Sequence, residues 1–212
     1  DRAPIDIVHA EPTVSSMSTT PVQPHRKPSI DMRMPLALGA LMVAASLYLL
    51  PFRLAAVSAF LGAAMLAIAT IDVDRCIIPD WLSLPAIPAG LLASGTLLDP
   101  GAGSLIEPDH IVAAVIAGGG LWGIATIHRR WRGAEGLGAG DIKLACAAGA
   151  WVGIELLALV LLLAAGSALA AVQAGSVRRA GNRDRVFRIP FGAFLALSTW
   201  VVWVLVVAGK LG

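Results

Sequence analysis

Seven apolar runs divide this chain, at about residues 34–52, 54–71, 82–98, 111–127, 142–152, 154–174 and 190–209. Most reach the roughly 20 residues that a helix needs to cross the hydrocarbon of a bilayer. A backbone in hydrocarbon must satisfy its own hydrogen bonds, and a helix does so within its own segment. Composition agrees: 57% of the 212 residues are hydrophobic and 14% are charged. A soluble domain carries about 25% charged residues, and one globular core cannot hide this much apolar surface. The expected fold class is all-α, a polytopic transmembrane helical bundle of six to seven membrane segments. Six are expected to be full spans. The short run 142–152 is expected to be a brief helix in a water-filled cavity or a re-entrant piece. Gly118-Gly119-Gly120 and the Ala-rich runs suit close helix packing in lipid.

Residues 1–31 are rich in Pro, Ser, Thr and charge. They are expected to form a disordered cytosolic N-terminal arm, leaving 32–212 as the membrane-embedded domain. The chain opens on Asp1, so it is expected to start inside a longer natural sequence. The two cysteines, Cys76 and Cys146, belong to no CxxC pair, and the four histidines are scattered. No disulfide framework, zinc ribbon or metal centre is expected. The Gly-rich stretch before residue 141 has no βαβ unit around it and is no nucleotide signal. No nucleic-acid partner is expected.

Loop charges set the orientation. Arg26, Lys27, Arg33, Arg75, Arg129, Arg130, Arg132, Lys143, Arg178, Arg179, Arg183, Arg185 and Arg188 fall on one side when the spans alternate. The other side holds Arg53, Lys210, Asp99, Glu107 and Asp109. The positive-inside rule makes the basic side cytoplasmic.

Carboxylates at the cytoplasmic ends of spans are the candidates for chemistry, because ionisable groups in or beside a membrane are costly. The second run ends in IDVDRCIIPDWLSLP, with Asp72, Asp74 and Asp80. Asp72 follows an unbroken apolar run and is the one placed at membrane depth. Asp74 and Asp80 flank a loop with Arg75 and Pro79, and Asp80 suits the dipole at the start of the next helix. The fourth carboxylate, Asp141, sits in GLGAGDIKLACAAGAWVG. It is either a helix cap or half of a chemical pair. Gly138 and Gly140 permit close approach of another chain. Two carboxylates brought together share one proton, because both cannot ionise easily. The ionised member activates water and the protonated member polarises a carbonyl. Such chemistry needs no metal or cofactor. Asp72 and Asp141 lie at the same membrane face, so such a pair is possible.

IDVDRCIIPDWLSLP, GLGAGDIKLACAAGAWVG and RIPFGAFLALSTW, in that order, resemble the type IV prepilin leader peptidases, which are GxGD-type membrane aspartic proteases. The resemblance covers roughly residues 54–209. It implies that 32–212 is a prepilin peptidase domain in a bacterial inner membrane, with its active site facing the cytoplasm. The implied substrate is a prepilin or pseudopilin with a basic leader, a Gly before the scissile bond and a hydrophobic helix behind it, beside membrane lipid. The family's catalytic aspartates fall on Asp72 and Asp141. Gly138 and Gly140 would leave room for an extended substrate. Lys143 matches the lysine of the family's GD-x-K pattern, and either tunes Asp141 or reaches to the headgroups. Pro79 and Asp80 are carried over as supporting positions. For leader binding by charge, Asp74, Asp80 and Glu135 are the better candidates. Larger relatives add an N-terminal zinc-binding region that methylates the new pilin terminus. No CxxC pairs occur here, so a shorter, peptidase-only member is expected. Ala193 stands where many relatives have Pro after IPFG. Cys76 and Cys146 are expected to be packing residues. The rival reading is a proton-coupled membrane transporter in which Asp72 and Asp141 carry protons. No convincing internal repeat supports it, and a scaffold without chemistry leaves the paired motifs unexplained.

Overall fold

A computed structural model describes residues 33–98, 105–133, 137–178 and 190–211. The expected arm at 1–31, Glu135 and the basic loop beyond Arg178 lie outside the described residues. Among the described residues there are seven α-helices and no strand. They are α1 Arg33–Leu49, α2 Phe52–Arg75, α3 Asp80–Ala93, α4 Pro108–Arg132, α5 Ala139–Val152, α6 Ile154–Arg178 and α7 Phe191–Leu211. Each apolar run becomes one helix. Local chemistry sets the ends. Pro51 precedes α2 and Pro108 opens α4, where a missing N–H costs nothing. Gly133 ends α4 at φ +67°, and Gly153 separates α5 from α6 at φ +75°. The His110 ring lies 3.2 Å from where a Gly153 side chain would start.

The seven helices among the described residues agree with the expected all-α bundle of six to seven membrane segments. Four helices, α2, α4, α6 and α7, are long and apolar enough to cross a membrane unaided. Helix α1 has 17 residues and stops before Pro51. Helix α3 has 14 residues with Pro85 and Pro88 inside it, and gives way at Ser94–Leu98 to a wider π-type turn. Each internal proline removes a helix donor, which explains a segment that is apolar throughout but not regular throughout. Helix α5, with 14 residues, rises about 21 Å and is short, as its sequence foretells.

Helix α5 is the centre of the bundle. Leu144, Ala145, Ala147, Ala148, Gly149, Ala150, Trp151 and Val152 are all buried, against α3, α4, α6 and α7. The small side chains at Ala145, Ala147, Ala148, Gly149 and Ala150 allow this. A Cβ on Gly149 would come 2.5 Å from the backbone of Ala113 in α4, so the two helices meet backbone to backbone. Gly118 packs against the Cys146 sulfur, whereas Gly119 and Gly120 face open space. The close packing expected of the glycine triplet is therefore carried by Gly118 alone. Polar side chains tie the helices where no water competes. Trp151 Nε1 donates to the Ala86 carbonyl at 2.9 Å, joining α5 to α3. Ser46 and Ser58 join their hydroxyls at 2.7 Å, and Trp200 Nε1 donates to the Ser58 carbonyl at 3.2 Å, joining α1, α2 and α7.

Candidate active site

The C-terminal end of α2 and the N-terminal ends of α3, α5 and α7 converge at one end of the bundle. Asp72 lies one turn before the end of α2 and is 5% exposed. That turn closes when the Cys76 N–H donates to the Asp72 carbonyl, with Cys76 in the left-handed conformation at φ 52°. The Asp72 carboxylate meets the start of α7, where the Ala193 N–H donates to Oδ2 at 2.9 Å. The first N–H groups of a helix lack the usual partner one turn back; the Ala193 N–H makes a longer bond to the Pro190 carbonyl at 3.2 Å and turns mainly to Asp72, from across the bundle.

Asp141 stands in the first turn of α5, outside the four spans. A backbone hydrogen bond from Gly138 reaches its carboxylate, and a Cβ on Gly138 would come 3.3 Å from Oδ2. This is half of a capping box, the third residue reaching back to the residue before the helix. Asp141 also feels Asp72. Its carboxyl is pushed up to about 6, first by burial and then by the charge of Asp72, against the Gly138 bond. The backbone bond at the helix start and the charge of Asp72 thus act on the same carboxyl.

A raised carboxyl has a stability signature. Between the ordinary value of 3.8 and about 6, the folded chain binds more protons than the unfolded one. Stability then falls as pH rises through that window. Asp141→Asn removes the titration. It is expected to raise the thermal midpoint by a few degrees at pH 8 and to leave it nearly unchanged at pH 4, read by thermal unfolding in detergent.

Lys143 does not reach Asp141. Its Nζ donates to Asp80 Oδ1 at 2.7 Å, tying the start of α5 to the start of α3. Neither role foreseen for Lys143 includes this bridge. The two side chains are 35% and 60% exposed, so the pair is a surface one. Lys143→Met is expected to cost less than about 1 kcal/mol of stability, measurable by the same unfolding.

Pro79 precedes α3 in extended backbone, and its carbonyl accepts the Leu82 and Ser83 N–H groups. Asp74 is exposed and pairs with its neighbour Arg75 at 3.6 Å. Cys146 packs against Gly118 as expected, but Cys76 is exposed. Cys76 is a helix terminator, not a packing residue. Gly140 does not open onto free space: its Cβ would come 2.8 Å from Ile78 Cβ. Gly192 is similar, with Asp72 Oδ2 3.0 Å from its missing Cβ and Ile78 Cδ1 closer still. Reading the sequence missed Ile78 and the α7 backbone. Ile78 lies in IDVDRCIIPDWLSLP and the start of α7 in RIPFGAFLALSTW, but nothing local marks a side chain that packs between two distant glycines.

Fold and site together define a helical membrane bundle with two acidic side chains from different helices at one end, one close enough to feel the charge of the other. The chain belongs to the type IV leader peptidase family, whose model matches residues 59–173. Relatives named prepilin leader peptidase/N-methyltransferase are similar to it. The one from Burkholderia pseudomallei is 38% identical over 179 residues, covering 81% of this chain and 54% of that protein. The one from Xanthomonas campestris is 34% identical over 141 residues, covering 66% and 46%. The one from Aeromonas hydrophila is 34% identical over 137 residues, covering 65% and 45%. The chain spans about half the length of these curated relatives. No solved structure matches it.

Proposed function

We propose that this protein is an aspartic endopeptidase that cuts the basic leader from a prepilin or pseudopilin at the cytoplasmic face of a bacterial inner membrane. The observation that most supports this reading is that Asp141, in the first turn of α5, feels the charge of Asp72, near the end of α2. Membership of a leader peptidase family supports it, and so do the names of the relatives. Nothing among them favours a transporter. Residues 32–212 form the peptidase domain, and residues 1–31 a cytosolic arm.

The geometry gives each acid a part. Asp72 Oδ2 accepts the Ala193 N–H, so that oxygen is held as an acceptor and the carboxylate is placed to take a proton from water. Asp141, pushed up to about 6, holds a proton more readily than an ordinary carboxyl and donates it to the scissile carbonyl oxygen. Water adds to the carbonyl carbon and gives its proton to Asp72; the tetrahedral intermediate collapses as Asp72 passes that proton to the amide nitrogen, which leaves, and the re-forming carbonyl returns its proton to Asp141. This is general acid–base catalysis by two carboxyls. Lys143 and Asp80 serve as a strut that fixes α5 against α3. Pro79 sets the entry of the chain into α3.

An apolar groove of about 480 Å³ runs beside the site, lined by Met34, Leu38, Leu41, Leu66, Val73, Ala193 and Leu197 among others. Val73 follows Asp72, and Ala193 donates to it. The hydrophobic helix of a prepilin would lie there with its leader at the aspartates. The test is cleavage of a panel of prepilins and pseudopilins by the detergent-purified chain. A shortened product beginning with the hydrophobic segment is expected. Uncut substrates throughout, with the protein folded, would remove the peptidase reading.

A further inference from the structure

A cavity of about 260 Å³ lies where α5 ends at Val152, at the other end of that helix from Asp141. The starts of α4 and α6 border it. Glu107, Asp109 and Glu155 line it with His110, Trp151 and Trp203, and no described lysine or arginine does. Asp109 and Glu155 have an ordinary role, because each sits in the first turn of its helix, where a negative charge suits the dipole. Glu107 has no such role. It precedes α4 without a side-chain cap bond, and its Oε1 is buried with no hydrogen-bond partner among the described residues. Trp203 is 2% exposed, and its Nε1–H likewise has no partner among the described residues. Its neighbour Trp151, edge-on at 5.7 Å, gives its own N–H to the Ala86 carbonyl. Buried polar groups are nearly always paired, and one left alone is costly. The residues around this cavity thus hold an acceptor and a donor that the described protein does not answer. His110 adds a second acceptor. The Ala150 carbonyl only accepts, so His110 Nδ1 donates to it at 2.9 Å, and Nε2 of the neutral ring keeps a lone pair.

We propose that this cavity binds a primary ammonium with an oxygen acceptor close by, the chemistry of ethanolamine phosphate, offered by a lipid headgroup or by the free compound. Charge decides the first half. Carboxylates with no described basic side chain among them, at the carbonyl end of α5, favour a cation. Trp203 decides the second half, because its N–H needs an acceptor that a bare cation lacks. A metal ion fits poorly for a further reason: no three His, Cys, Asp or Glu side chains among the described residues form a ligand set. An ammonium has three N–H donors for Glu107 and His110, and indole faces attract it as well. Size sets the rest. A cavity of about 260 Å³ is smaller than most drug-sized sites, which run to roughly 300–1,000 Å³. It holds a headgroup, and acyl chains would run out into the bilayer. A quaternary ammonium of the same charge has no N–H to give Glu107 and is the natural discriminator. The site is separate from Asp72 and Asp141 and does not rest on the peptidase reading.

The test titrates the detergent-purified chain with three probes and reads Kd by native mass spectrometry. The probes are a short-chain phosphatidylethanolamine, the phosphatidylcholine with the same acyl chains, and O-phosphoethanolamine. Phosphatidylethanolamine is expected to bind at least about 10-fold more tightly than phosphatidylcholine. O-phosphoethanolamine separates the two sources. If it displaces the lipid, the free compound suffices; if it does not, the ligand is the lipid, and the ammonium chemistry stands in both cases. Glu107→Gln keeps the shape and removes the charge, and is expected to weaken phosphatidylethanolamine binding by about 10-fold or more. Trp203→Phe keeps a ring and removes the N–H, and is expected to weaken it by about 3-fold or more. Neither should change the affinity for phosphatidylcholine. If Trp203→Phe does not fold, Glu107→Gln decides alone. Equal affinity for the two lipids, wild-type affinity in Glu107→Gln, or no binding of any probe would overturn the proposal and leave the cavity to water.

Discussion

Asp72→Asn and Asp141→Asn are each expected to lower leader cleavage by roughly 10²- to 10⁴-fold while leaving the helical bundle intact. Asparagine keeps the shape of the side chain and its acceptor oxygen. Asp72→Asn can therefore still take the Ala193 N–H, and Asp141→Asn can still take the Gly138 bond. Only the acid chemistry is removed. Asp74→Asn is the control, because Asp74 is exposed and pairs with its own neighbour Arg75. It should keep activity near that of the wild type. Initial rates on a cleavable prepilin, with circular dichroism to confirm helix content, separate the cases. If Asp74→Asn were inactive and Asp72→Asn active, the pair would have to be redrawn around a solvated loop. If both Asp72→Asn and Asp141→Asn cut normally, the two-carboxyl mechanism would fall.

The largest loss of stability is expected from Gly149→Ala. Alanine favours a helix over glycine by about 1 kcal/mol, so an exposed site would gain from the change. Gly149 is not exposed. Its new methyl would lie 2.5 Å from the carbonyl carbon and oxygen of Ala113, and a backbone cannot rotate out of the way as a side chain can. Overpacking costs about 1–3 kcal/mol, occasionally more, and here α4 must move away from α5 along its length. A net loss of about 2 kcal/mol is expected, seen as a lower thermal midpoint in detergent. Gly119→Ala and Gly120→Ala meet nothing within 4 Å, and are expected to be neutral or stabilising by up to about 1 kcal/mol. If Gly149→Ala matched those two, the close α4–α5 contact would be disproved.

Much of the fold was legible in the sequence, and the reason is local. A segment in hydrocarbon must hydrogen-bond to itself, so each apolar run is a helix wherever its neighbours lie. Pro51, Pro108, Gly133 and Gly153 sit at helix boundaries because of their own dihedral chemistry. The same logic failed inside α3, where Pro85 and Pro88 and the wider turn after Ala93 interrupt an unbroken apolar run. Hydropathy counts apolar residues and does not record missing donors. Charge placed Asp72 and Asp141 at one membrane face before any helix was packed, and the structure brings them within reach of each other's charge.

Sequence by itself therefore determined the seven helical segments and singled out Asp72 and Asp141 as acids at one end of the bundle. Tertiary structure alone decided that Lys143 goes to Asp80, that Gly118 packs while Gly119 and Gly120 do not, that α7 offers its first N–H groups to Asp72, and that Ile78 fills the space of two glycines. These facts depend on how each helix is rotated about its axis and slid against its neighbours. In a soluble helix an apolar stripe announces that rotation. Here the helices are apolar nearly all round, so no stripe exists, and only close packing of small residues fixes which side chains meet.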